Sequence, residues 1–233
     1  MQTEKDAEIV GWVGRLGAAG AEHVMGRFEM GRSWAYERLG QLVSDGLLEQ
    51  RMLLFRKPGV YAATAAGLRW RGLERLGVHH VRPGGYEHAW EVAQAAVALH
   101  HGGQDWQVLS EREIRAHERE EGELLASARV GELPGGRPAL HRPDLALLSP
   151  QGRLVAVEIE LSVKAPARLA VICRGWARAR HVHGVYYLAT PQAARAVSRA
   201  VAETRAGDQI TVLPLGETAA LLAAEGKEAI NVQ

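Results

Sequence analysis

Apolar positions over the first seventy residues keep helical spacing and then switch to alternation. Ile9, Val10, Val13 and Leu16 form one stripe of a helix, and AEHVMGRF at 21–28 reads as a short second one. Ser33 is placed to cap a third helix whose Ala35, Leu39, Leu42 and Val43 line one face, and Asp45-Gly46 supplies its stop. LLEQRMLLF and GVYAAT then read as two strands about the tip Arg56-Lys57-Pro58-Gly59, and AAGLRWRGL returns to helical spacing. Three helices and a basic hairpin predict a winged helix-turn-helix over residues 1–78.

The stretch from Val78 to Gly85, VHHVRPGG, carries proline and paired glycines and marks a boundary, with 79–85 as linker. Beyond it the pattern alternates between the two periods. YEHAWEVAQAAVALHH, SEREIRAHERE, a segment from about Pro166 to Arg180, PQAARAVSRAVAETR and ETAALLAAEG read as helices. DWQVLS, PDLALLS, RLVAVEIEL, GVYYLAT and ITVLPL read as strands. Helices interleaved with strands predict a mixed α/β sheet over 86–233, so the fold class expected for the chain is α+β or α/β in two domains.

One hairpin breaks the apolar rule. Pro150-Gln151-Gly152 suits a three-residue loop, with proline at the first corner and glycine free to take a left-handed conformation. Counting back from a Ser149–Arg153 pair sets Asp144 opposite Glu158. Glu160 follows on the same face, while Val155, Val157 and Ile159 point the other way. Facing carboxylates repel at the roughly 5 Å of a cross-strand pair, so a cation is expected there. Mg²⁺, or Mn²⁺, suits two carboxylates plus waters and phosphate oxygens, which makes Asp144 and Glu158 the candidate ligands and Lys164 a second local cation. The competing reading is a solvated face whose acids pair with arginines of the following helix.

Composition enters through its distribution. The 233 residues are 47% hydrophobic with a formal net charge of +1, which suits a globular protein. Yet Leu161–Ala202 contains no acid, while Lys164, Arg168, Arg174, Arg178, Arg180, Arg195 and Arg199 are basic. Arginine grips phosphate bidentately, so Arg168, Arg174 and Arg178 are candidates for a nucleic-acid backbone. On the predicted winged helix, Arg32, Ser33, Trp34, Glu37, Arg38 and Gln41 would face the major groove, and Arg51, Arg56 and Lys57 would form the wing. The apolar runs are too short for a bilayer span, and the single cysteine, Cys173, sits in an apolar run. A cytoplasmic protein without a disulfide or thiolate metal site is the expectation. Paired histidines lack zinc-like spacing, GRLGAAG and HGGQ lack the lysine of a phosphate loop, and Ser33, Ser110 and Ser162 read as helix caps.

Pro143-Asp144 followed by Glu158-Ile159-Glu160 on consecutive strands resembles the PD-(D/E)XK nuclease superfamily. The resemblance implies that Asp144 and Glu158 hold Mg²⁺. It also implies a lysine two residues later, where this chain has Glu160; Lys164 on the way to the next helix would take that part. It further implies an acid from the preceding helix, Glu91 or Glu87, with His88 beside them. The order SWAYERLGQL, PGVYAAT, LSEREIR, RPDLALL, VAVEIELS and VYYLAT resembles the replication-relaxation family of plasmids and integrative elements. That likeness implies a double-stranded-DNA partner, with a relaxase or replication protein as a further one. Two functions follow as expectations: metal-assisted phosphodiester hydrolysis with Asp144, Glu158, Glu160, Lys164 and Glu91 as its residues, or a catalytically inactive regulator or accessory factor. A homodimer would be expected on a palindromic site.

Overall fold

The computed structural model describes residues 2–102 and 105–230, the last five of these by backbone alone. It is a mixed α+β structure dividing into two compact units, Met1–Val97 and Ala98–Gln233. No helix among the described residues is long and apolar enough to cross a membrane.

The first unit runs α1 (Glu4–Leu16), β1 (Ala19–Gly20), α2 (Ala21–Phe28), α3 (Arg32–Ser44), β2 (Leu48–Arg51), β3 (Val60–Ala63) and α4 (Ala65–Trp70), and takes in the first part of α5 (Tyr86–His101). Its helices are set by their caps. Thr3 and Asp6 cap α1 reciprocally, the Thr3 N–H donating to Asp6 Oδ2 at 2.7 Å and the Asp6 N–H to Thr3 Oγ1 at 3.2 Å. Gly31 rather than Ser33 is the N-cap of α3, because Glu29 turns through the left-handed region (φ 53°) and the helix starts at Arg32; Ser33 lies exposed in the first turn. Ile9, Val10, Val13, Leu39, Leu42, Leu48, Tyr61 and Leu68 meet in one core.

Strands β1, β3 and β2 form an antiparallel sheet in that order. With only two residues, β1 has no period to read in the sequence. The hairpin is also shorter than its sequence suggests, since β2 stops at Arg51 and 52–59 is a loop. Leu53 and Leu54 leave the alternation to pack with Ala18, Val60, Val81 and Tyr86, and the Tyr86 hydroxyl donates to the Pro58 carbonyl at 3.0 Å. Ala93 on α5 joins the first core, and Trp90 lies 4.3 Å from the His23 ring. These contacts set the division between the units after Val97, downstream of the 79–85 segment.

The second unit contains β4 (Gln107–Ser110), α6 (Glu111–Glu121), β5 (Ala128–Leu133), β6 (Arg137–His141), β7 (Leu145–Leu148), β8 (Leu154–Glu160), α7 (Pro166–Arg178), β9 (Gly184–Ala189), α8 (Pro191–Thr204), β10 (Ile210–Pro214) and α9 (Thr218–Ile230). Five strands order as β10-β9-β8-β7-β4, the first three parallel and the last two antiparallel. The β7–β8 register is the one its turn predicts: Leu145 faces Val157 and Leu148 faces Leu154, closed by the Ser149 N–H on the Arg153 carbonyl at 2.9 Å, with Gly152 at φ 81°. Leu154 and Ala156 pack against Leu169, Ile172, Cys173 and Trp176 of α7 and Val197 and Ala200 of α8. Glu225 of α9 accepts from the Tyr186 hydroxyl at 2.7 Å and from Arg153 Nε at 2.8 Å.

Candidate functional site

Glu158 and Glu160 occupy the last turns of the pleat on the same face of β8 as Leu154 and Ala156. They stand at the carboxyl end of a parallel strand, the end of such a sheet where ligands bind. Both are buried, at 5% and 4% exposure, which rules out the solvated face offered as the competing reading. Buried carboxylates need compensation, and each has found some. Glu160 is ion-paired with Lys164, four residues on. Asp144, in register with Glu158, accepts the Ile159 N–H on Oδ2 at 2.7 Å.

Glu158 has a partner that the strand pattern did not give. His141, at the end of β6, brings Nε2 to 2.7 Å from Glu158 Oε1, and its ring stands edge-on to Trp176 at 5.8 Å. The N–H points off the line between them, so neither buried atom has a well-aligned hydrogen bond. Burial pushes the Glu158 carboxyl upward, against the pull of His141 and Lys164. Burial also opposes charge on His141, but the adjacent Glu158 outweighs it and raises the imidazole. The signal for His141 lay in the Leu133-Pro134-Gly135-Gly136 turn, where Gly135 and Gly136 have φ of 87° and 76°; it folds β5 and β6 into a hairpin that delivers His141 beside Asp144.

The expected convergence of three carboxylates is therefore replaced by pairs. Among the described residues no three His, Cys, Asp or Glu side chains gather as a metal-holding group. Glu91, half-buried on α5, belongs to the first unit, as does Glu87, which pairs with Lys57 at 2.9 Å; Asp144 and Glu158 belong to the second. Burial pushes the Cys173 thiol up to about 11, fitting a core residue rather than a nucleophile. Ser110 caps α6 with Glu113, whereas Ser162 lies ahead of α7, whose N-cap is Ala165.

The basic residues fall into two groups. Arg168, Arg174, Arg178, Arg180, Arg195 and Arg199 are exposed on or beside the packed helices α7 and α8, and none has a carboxylate partner among the described residues. Elsewhere arginines are neutralised: Arg142 by Glu118 at 3.1 Å and Arg153 by Glu225 at 2.8 Å. Arg38 is likewise spent, its Nε donating to Asp6 Oδ1 at 2.9 Å and its terminal nitrogen to Oδ2. It braces α3 against the start of α1 and is not a free groove-facing cation.

On α3 the side chains of Arg32, Ser33, Trp34, Glu37 and Gln41 are exposed; Arg32 lies over the Tyr36 ring at 5.8 Å, and Gln41 donates to Asp45 at 2.8 Å. In the hairpin, Arg51 is half-buried between Glu49 at 2.6 Å and His80 at 3.0 Å. Arg56, at φ 59°, lies over Phe55, itself 87% exposed. No family model, curated protein or solved structure matches this chain.

Proposed function

We propose that the chain is a DNA-binding protein of the replication-relaxation kind, with a winged helix in its first unit and a PD-(D/E)XK nuclease-like second unit. The observation that carries this reading is the set of six exposed arginines without carboxylate partners among the described residues. Arg174 with Arg178, and Arg195 with Arg199, stand four apart on their helices, where like charges cost roughly 0.2–0.5 kcal/mol per pair. A polyanion across that surface turns the cost into attraction, with each neutralised phosphate releasing counterions. On the first unit, the α1–β1–α2–α3–β2–β3 order and the exposed Arg32, Trp34 and Gln41 support α3 as the helix entering a major groove, with Arg56 and Lys57 on the adjoining loop.

The acid centre fits a hard cation at Asp144 and Glu158, because Glu158 Oε1 is buried without an aligned hydrogen bond and two carboxylates plus waters suffice for Mg²⁺. Bound there, Mg²⁺ or Mn²⁺ would polarise a phosphoryl oxygen and acidify a bound water. The chain's own residues hold and orient. Asp144 is fixed by the Ile159 N–H, Lys164 holds Glu160 in an ion pair at the strand end, and His141 balances Glu158 until a cation does. A second reading, a non-cleaving regulator or accessory factor that recruits a relaxase or replication protein, draws support from Glu160 and Lys164 being tied to each other.

Supercoiled plasmid incubated with the protein and Mg²⁺ or Mn²⁺ separates the two. Metal-dependent nicking lost in both Asp144→Ala and Glu158→Ala establishes the nuclease. Salt-sensitive binding without nicking, unchanged in both variants, establishes the regulator.

A further inference from the structure

A cleft of about 670 Å³ opens in the second unit between α6 and the β5–β6 hairpin, away from the arginines of α7 and α8 in sequence. Four arginines line it: Arg115 and Arg119 from α6, Arg129 from β5 and Arg142 just past β6. Two acids accompany them, Glu118 and Glu123.

Glu118 is already saturated. Its Oε1 accepts the Leu125 and Ser127 N–H groups at 3.2 and 3.1 Å, and its Oε2 accepts the Ser127 hydroxyl at 2.8 Å and Arg142 Nε at 3.1 Å. This carboxylate forms a buried floor that holds Arg142 by one nitrogen, and the terminal nitrogens have no partner among the described residues. Arg129 is exposed and likewise without a carboxylate. Arg115 pairs with Glu111 on its own helix, in an exposed ion pair of the sort worth about 1 kcal/mol or less. Such pairs exchange readily for a phosphate, which two guanidinium groups grip far better. Leu124, Pro138 and Leu140 add apolar wall for a sugar or base.

The chain also sets this cleft beside the acid centre. His141 reaches Glu158 and the next residue, Arg142, reaches Glu118, so consecutive side chains serve the two places. We propose that the cleft binds phosphate groups of a nucleic-acid strand passing the acid centre; this rests on the DNA-binding reading above.

The test is fluorescence anisotropy of a labelled 12-nucleotide single strand across a salt series, with the full chain and an Arg115→Ala/Arg129→Ala variant. Both residues are exposed, so the variant keeps its fold, as circular dichroism would verify. The expected result is weaker binding and a salt slope smaller by about 1.4, at about 0.7 for each phosphate no longer neutralised. An unchanged affinity and slope overturns the cleft as a strand site while leaving DNA binding intact. Absence of salt-sensitive binding to any single strand or duplex by the unaltered protein overturns the DNA reading. A parallel titration with dTMP decides the source of the phosphate. The reduced slope together with no dTMP binding supports the strand, whereas dTMP binding lost in the variant while the strand binds as before marks a free-nucleotide site and overturns the proposal.

Discussion

Asp6 and His23 show how single side chains set the limits of the first unit. Burial pushes the Asp6 carboxyl up, but Arg38 and Thr3 outweigh it and hold it below the usual range. Arg38→Ala would leave this buried carboxylate with only its Thr3 partners and no opposite charge, so a loss of about 3 kcal/mol is expected in chemical denaturation. That variant tests the fold; Arg32→Ala tests DNA contact. His23 is neutral, its Nδ1 accepting the Gly20 N–H at 2.9 Å, and burial lowers its pKa to about 4. The unfolded chain, with an ordinary histidine near 6.5, takes up the proton first. Stability is therefore whole above about pH 6.5 and falls as pH drops toward 4, by up to about 3 kcal/mol at 1.36 kcal/mol per unit. His23→Gln, whose side-chain oxygen can accept the same N–H, should flatten that acid limb; a limb unchanged in thermal melts from pH 7 to 4 would place the titration elsewhere.

At the scale of elements, close approach and charge spacing govern α7 and α8. A Cβ on Gly175 would sit 3.0 Å from the Arg129 carbonyl and 2.9 Å from Val130, so α7 lies on β5 only because that position is bare. Gly175→Ala is expected to cost about 1–3 kcal/mol, read as a lowered Tm. Arg195→Glu should do the reverse to stability. An acid four residues ahead of Arg199 near the start of α8 gains a few tenths of a kcal/mol, while DNA affinity falls. A variant both less stable and equally tight on DNA would contradict the assignment of this surface. Elements also separate what the sequence shows from what it hides. The β7–β8 register is legible because Pro150-Gln151-Gly152 admits few turns, and from it follow Asp144 opposite Glu158 and both glutamates on one face. The β5–β6 hairpin is not, because a register shift between Arg129 and Gly131 and proline at 138 erase the alternation, and His141 is hidden with it. Helices α1, α2 and α3 announce themselves by period, but the strand expected through Phe55 ends at Arg51, where tertiary contacts of Leu53 and Leu54 override the pattern.

For the whole molecule, a formal net charge of +1 is a poor guide, since Leu161–Ala202 carries seven cations and no acid. The balancing acids lie on other segments, many bound to arginines of their own, such as Glu111, Glu118 and Glu225. With charge so divided, opposite charges on separate copies attract one another when ions are scarce. Concentrated protein in low-salt buffer should turn turbid and clear on adding sodium chloride. An excess of a short polyanion should clear it as well, which light scattering would register as a return to a single small species.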